Sequence, residues 1–172
     1  KERKIMKRKI FIMTALVMMI FCVNACAFTD VQNGSWYYDN VTDMTNQGYL
    51  SGYEDGTFRP DGTVTKAELV SIVGRIAGLQ ESAKQNNHWA DGMVQTALTK
   101  GLFDWDEIPP TAQTYDEPIT RQLAVKIVMN AFFKEERGDY NRVSSSVSDF
   151  AQLDGRYYDS MIAAYCKGIV YG

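Results

Sequence analysis

Two threonines, each followed at once by a strong cation, are the residues best placed to do chemistry in this chain: Thr65-Lys66 and Thr120-Arg121. A threonine at a helix start turns its hydroxyl onto a backbone N–H two or three residues on. The same helix end offers unpaired N–H groups and a partial positive charge, which together make a ready seat for an anion. A side chain one residue past the cap stands beside that seat. Arg121 could clasp a carboxylate through two nitrogens, whereas Lys66 would act as a point charge. The bland alternative is a solvated cation in a first helical turn. The helix dipole disfavours a cation there, so repeating the choice in two places favours a binding role. Glu68 stands three residues after Thr65 and completes a capping box.

Other chemistries lack their parts. His88 is the single histidine, so no second imidazole exists to build a zinc set, and a serine or cysteine nucleophile has no ready base. His88 beside Trp89 reads as a structural or exposed residue. Of three cysteines, Cys22 and Cys26 lie near the front and only Cys166 lies deep in the chain, which rules out a disulfide framework. Asp61-Gly62 followed by Glu68 imitates the second half of a calcium loop. Its first and third ligand positions would be Thr57 and Arg59, and an arginine repels the ion. The residues call for no cofactor and no metal, and carboxylate pairs are too common in so acidic a chain to signal a glycosidase. The chain reads as a binding protein, not an enzyme.

The front of the chain has the layout of a secretory signal. Lys7, Arg8 and Lys9 precede an apolar run from Ile10 to Val23, and Ala25-Cys26-Ala27 follows as a small-residue cleavage pattern. The run is about 14 residues against the roughly 20 that a membrane-spanning helix needs, so no transmembrane helix is expected in the mature form. Cleavage after Ala27 makes Phe28 the first mature residue. The alternative is a lipoprotein, because Val23-Asn24-Ala25-Cys26 resembles a lipobox in which Cys26 would carry a lipid anchor, although Asn24 fits it poorly. Removing residues 1–27 takes six Lys or Arg and one Glu, which leaves 12 basic and 20 acidic residues and a net charge near −8. That balance argues against nucleic acid or anionic membrane as partner.

The elements that must hold these cations repeat. Trp36 is followed twelve residues later by Gly48, Trp89 by Gly101, and Arg156 by Gly168. In the same register Val41, Val94 and Met161 coincide, as do Met44, Ala97 and Ala164. The spacing predicts an amphipathic helix in each copy, ended by its glycine. A second helix follows in two copies. Leu69, Ile72, Val73 and Ile76 mark one apolar face after Thr65, and Leu123, Ile127, Val128 and Ala131 mark another after Thr120. All four prolines fall between first and second helices, and Ser144 to Ser148 reads as a linker. The unit is helix, loop, helix with a period near 53 to 55 residues, and a lone helical pair must bury its stripe against a neighbouring copy.

Copy one, Phe28-Thr29-Asp30-Val31, Trp36, Gly48, the loop Gly52-Tyr53-Glu54-Asp55-Gly56-Thr57-Phe58-Arg59-Pro60, then Val64-Thr65-Lys66-Ala67-Glu68, closely resembles the S-layer homology repeat. The family pattern runs F-x-D-V, tryptophan, G-Y-x-D-G-T-F-x-P, I-T-R-A-E, and Lys66 stands for its arginine. Copy two keeps Ile119-Thr120-Arg121 but has Gln122-Leu123 for A-E. Copy three is partial, with Val147-Ser148-Asp149 and Gly168-Ile169-Val170-Tyr171-Gly172. The division expected is a signal at 1–27, repeat one at 28–80, a degenerate repeat two at 81–140 and a partial repeat three at 141–172.

The resemblance implies an all-α fold, a pseudo-threefold bundle of helix-loop-helix units with the third incomplete. It also implies non-covalent attachment of an exported protein to secondary cell-wall polysaccharide, with a pyruvylated sugar bound in grooves between repeats. The residues it points to are Lys66, Arg121, Thr65, Thr120, Glu68 and Gly52. Trp36 and Trp89 would offer flat faces for sugar rings or, equally, serve as core anchors. Two alternatives stand beside this: a degenerate scaffold or lipoprotein that binds other surface proteins, and the anchor of a larger surface enzyme.

Overall fold

The computed structural model describes residues 28–171, and the expected signal at 1–27 and Cys26 lie outside the described residues. Among them the chain is helical, with no sheet: α1 Tyr38–Asn46, α2 Lys66–Ile76, α3 Asp91–Thr99, α4 Ala112–Tyr115, α5 Arg121–Phe132, α6 Tyr140–Ser146 and α7 Tyr158–Cys166. Two 3-10 turns, Phe150–Gln152 and Gly155–Tyr157, precede α7. No helix among the described residues is long and apolar enough to cross a membrane.

The three first helices are α1, α3 and α7, and one device ends each. Gly48, Gly101 and Gly168 take φ of 76°, 74° and 71°, a left-handed turn that a side chain resists. The next residue then bonds back to the last turn, Tyr49 N–H to Met44 O, Leu102 N–H to Ala97 O and Ile169 N–H to Ala164 O, at 2.9, 3.0 and 2.9 Å. The second helices α2 and α5 begin at Thr65 and Thr120, as the caps predict. One segment differs from expectation. Residues 140–146 are a helix and not a linker, because Asp139 caps them and Ser145 and Ser146 satisfy their hydroxyls on the carbonyls of Asn141 and Arg142. Val143 anchors that helix against Phe150 and Ile162.

The described chain forms two compact units, residues 28–60 and 61–171. In the first, the opening motif holds its own loop. Asp30 accepts the N–H groups of Phe58 and Arg59 at 2.8 and 2.7 Å, while the Phe28 ring lies 5.4 Å from that of Phe58. Asp55 receives the Thr57 hydroxyl at 2.6 Å and the Arg59 guanidinium at 2.8 Å, and these bonds hold its carboxyl down to about 2. Arg59 has φ 59°, an uncommon conformation for a residue with a side chain, and its guanidinium lies 3.9 Å above the Tyr53 ring.

In the second unit, the second helix of one copy packs on the first helix of the next. Thus α2 lies on α3, α5 lies on α7, and α2 and α5 also touch each other. Ala67, Val70 and Val73 of α2, Met93, Val94 and Ala97 of α3, and Leu123 and Ile127 of α5 share one core with Phe103, Ile108 and Tyr115. A Cβ on Gly74 would strike the Met93 sulfur, so glycine sets how closely α2 and α3 approach.

Asp91 is fully buried at the start of α3. Its carboxylate accepts N–H from Gln85 at 2.5 Å, the amide of Asn86 at 2.8 Å and the Tyr115 hydroxyl at 2.8 Å. Burial alone would raise its pKa; the bonds from Gln85, Tyr115 and Asn86 outweigh that and hold it below the usual value. Burial and the bond to Asp91 push the Tyr115 phenol up. Because the folded carboxyl titrates lower than the unfolded one, its stabilisation is complete above the unfolded value near 4 and fades as pH falls through the folded value. Asp91→Ala strands several buried donors and is expected to cost ~2–4 kcal/mol at neutral pH, read as a lower urea midpoint. Asp91→Asn should flatten the loss of stability below about pH 4.

Candidate functional site

The two cation-bearing helix starts are brought together by the backbone. Residues 64–66 run antiparallel to residues 117–119, with Lys66 N–H bonded to Glu117 O at 2.9 Å and Ile119 N–H to Val64 O at 3.0 Å. Pro118 has no N–H to donate, so the pairing falls on its neighbours. Thr65 caps α2 by accepting Glu68 N–H at 3.2 Å, and the Glu68 carboxylate returns to Thr65 N–H at 2.8 Å. Thr120 caps α5 by accepting Leu123 N–H at 3.3 Å.

Each cation reaches into the copy that follows its own. Lys66 Nζ sits 2.9 Å from a Glu117 carboxylate oxygen in copy two, and Arg121 donates to the Tyr171 carbonyl in copy three at 2.8 Å. Their surroundings differ. The Lys66 side chain is 14% exposed and carries a carboxylate partner that is itself half open. Arg121 is exposed, holds a neutral carbonyl, and has no acidic residue in its helical turn. Copy two's departures have physical accounts: Leu123 is buried in the core where Glu68 caps copy one, and Gln122 accepts Asp154 N–H at 3.1 Å, tying copies two and three.

The tryptophans are not core anchors. Trp36 is 88% exposed and Trp89 49% exposed, because the small and aliphatic residues fill the interior instead. Trp89 is connected to the Lys66 region through His88. The His88 ring lies 5.5 Å from that of Trp89, accepts Ala90 N–H at Nδ1, and bonds through Nε2 to Asp116, the residue before Glu117, at 3.0 Å. Gly52 lies in the first unit, where an added Cβ would collide with the Phe28 ring and the Thr57 carbonyl, so its role there is steric.

A cleft of about 310 Å³ runs between α5 and α7, lined by Lys126, Met129, Phe133, Lys134, Arg137 and Arg156 among others. Two of its four cations are held by carboxylates. Lys126 reaches Asp104 at 2.6 Å and the buried Glu107 at 2.9 Å, and Arg156 pairs with Asp154 and Asp106. Burial opposes the charge on Lys126, but these two carboxylates outweigh it and hold its pKa up. The acids Glu136 and Asp159 also line the cleft, and Arg121 does not. Among the described residues no cluster of histidine, cysteine and carboxylates is placed to hold a metal ion.

Residues 27–70 match the S-layer homology domain family. That stretch contains the Asp30 latch, the Gly52 to Pro60 loop and Thr65 to Glu68. The chain is an S-layer homology domain protein. It is 30% identical to an endoglucanase of Bacillus sp. (strain KSM-635) over 142 residues, 75% of this chain and 15% of that protein. It is 24% identical to a cellulosome-anchoring protein of Acetivibrio thermocellus over 159 residues, 86% of this chain and 33% of that protein. A surface layer protein of Brevibacillus choshinensis matches at 31% over 88 residues, 42% of this chain and 8% of that protein. The chain therefore spans a third or less of the length of these relatives.

Beyond that matched stretch, the residues that sequence reasoning missed are Glu117, Asp91, Glu107 and Lys126. Asp91 carried a signal, since Ala90 and Gly92 on either side mark a crowded site, and a Cβ on Gly92 would meet the Ser82 carbonyl. Glu117 carried none, because its partner lies 51 residues away. Gly52→Ala is expected to destabilise the first unit by ~1–3 kcal/mol, since a rigid ring and a backbone carbonyl must both move. Urea unfolding beside the wild type measures it, with the Gly56–Phe58 amides losing hydrogen-exchange protection first.

Proposed function

We propose that this chain attaches an exported protein to the cell surface by binding acidic secondary cell-wall polysaccharide, a pyruvylated sugar docking where one repeat meets the next. The observation that carries the reading is that both basic residues after the threonine caps, Lys66 and Arg121, cross to the following copy. A ligand carboxylate at those junctions would meet a cation at the positive end of a helix. The half-exposed Trp89 offers a ring face beside the Lys66 junction. Binding and not catalysis is the role, and the site is a wall-facing one on an exported, cell-surface chain.

The names of the relatives favour a related second reading, in which the repeats anchor a surface enzyme or associated surface protein. The match occupies 15% of an endoglucanase and 33% of a cellulosome-anchoring protein. In that reading the repeats hold the wall and the attached protein does the chemistry. Cys26 as a lipid anchor is the alternative means of attachment, and mass spectrometry of the mature N-terminus separates a lipidated Cys26 from a free Phe28.

Pull-down on purified walls tests the glycan reading. The chain is expected to be retained on native walls and released from walls stripped of pyruvyl groups, and equal retention on both would sink it. Arg121→Ala should weaken retention roughly tenfold or more, the weight of one charge-assisted hydrogen bond. Its unfolding midpoint should stay within ~0.5 kcal/mol of wild type because Arg121 is exposed.

A further inference from the structure

We infer that Glu117 is an internal competitor for the ligand carboxylate, so the two cation sites are unequal: Arg121 stands open to an anion while Lys66 is already occupied. The inference rests on the glycan reading and deepens it by naming the residue that sets which junction binds.

Glu117 fills both places that a ligand carboxylate would take at the start of α2. Its backbone carbonyl holds the Lys66 N–H at 2.9 Å, and its side-chain carboxylate holds Lys66 Nζ at 2.9 Å. The remaining donors of that turn are partly used as well, since Glu68 N–H bonds to Thr65 and Thr65 N–H to Glu68. The exposures say which partner can leave. Lys66 is tucked in at 14% while Glu117 is 49% exposed, so the carboxylate can swing to solvent without disturbing the core. The backbone bonds on either side of Pro118 stay in place when it does.

At the second junction no such occupant is found among the described residues. Among the described residues no carboxylate pairs with Arg121, and its partner, the Tyr171 carbonyl, is neutral and uses one guanidinium nitrogen. Its remaining nitrogens have no carboxylate among the described residues and could take one in the two-point geometry that arginine favours. Glu117 also stands where copy one has Gly62, counting back three residues from each cap, so the competitor belongs to the second copy's loop alone.

The test is isothermal titration of the purified chain with a pyruvylated methyl N-acetylmannosaminide, the sugar without pyruvate serving as control. Glu117→Gln keeps the backbone bonds and removes the charge. It is expected to tighten binding about two- to fivefold, the range set by an exposed ion pair, or to add a second binding event. In a Lys66→Ala background the same change should do nothing, which ties the effect to that cation. In the wild type, Arg121→Ala should lower affinity far more than Lys66→Ala. If Glu117→Gln leaves affinity and stoichiometry unchanged while Arg121→Ala weakens binding, the competitor is overturned and the glycan reading stands. If the sugar with pyruvate binds no better than the sugar without it in any variant, both are overturned. Urea unfolding of each variant shows that the fold is retained.

Discussion

The second unit hangs on a short antiparallel contact between residues 64–66 and 117–119. Two backbone hydrogen bonds fix it, and they join segments that begin different helices. Once they form, Thr65 and Thr120 can only launch α2 and α5 from neighbouring points. The apolar stripes of those helices must then share a core, and α3 is drawn onto the far side of α2. The contact also decides the chemistry, because it lays Glu117 along the first turn of α2. Two cations could have sat on separate helices facing solvent. Here each is committed to a junction, since Lys66 meets Glu117 of copy two and Arg121 meets the Tyr171 carbonyl of copy three.

The second helix-loop-helix stretch reaches a comparable arrangement without the loop motif of the first. Copy one braces its loop with Asp30, which collects two backbone N–H groups, and with the Asp55, Thr57 and Arg59 cluster. Copy two has none of that loop. It relies on buried polar groups instead: Asp91 gathers the chain around residues 85–86 and the Tyr115 hydroxyl, and Glu107 meets Lys126 under cover of Tyr157. A buried carboxylate is costly unless each lone pair finds a donor, and these do. Both devices do the same task, which is to carry the chain from a first helix to a capped second one.

Much of this was legible from residue types alone. The left-handed glycines after α1, α3 and α7 follow from the twelve-residue spacing, and the α2 cap follows from a threonine with glutamate three residues on. Those signals are local, and local physics fixes them. Three readings failed or were blind for the opposite reason. The serines at 144–146 suggested a linker because serine favours turns, yet their hydroxyls bond within α6 and Val143 gives it a core contact. Trp36 and Trp89 could be core or surface by size alone, and only the packing of smaller residues put them outside. Glu117 and Lys126 acquire roles from partners brought near by tertiary pairing, which no window of sequence contains.

The electrostatics of the two helix starts explain why their inequality matters. A helix begins with partial positive charge, so a cation in the first turn costs about 0.3–1 kcal/mol unless something negative is near. At α2 that demand is met twice, by Glu68 in the cap and by Glu117 across the junction. At α5 it is not met: Leu123 has replaced the capping glutamate, there is no acid in the turn, and Arg121 faces a neutral carbonyl. Burying Leu123 gained core packing at the expense of local charge balance. The bond from Arg121 to the Tyr171 carbonyl is the contact that holds the side chain there, and a carbonyl carries no net charge to set against the cation. An anion seated at that helix start would be favoured by the same electrostatics, which is the physical basis of the proposed glycan contact.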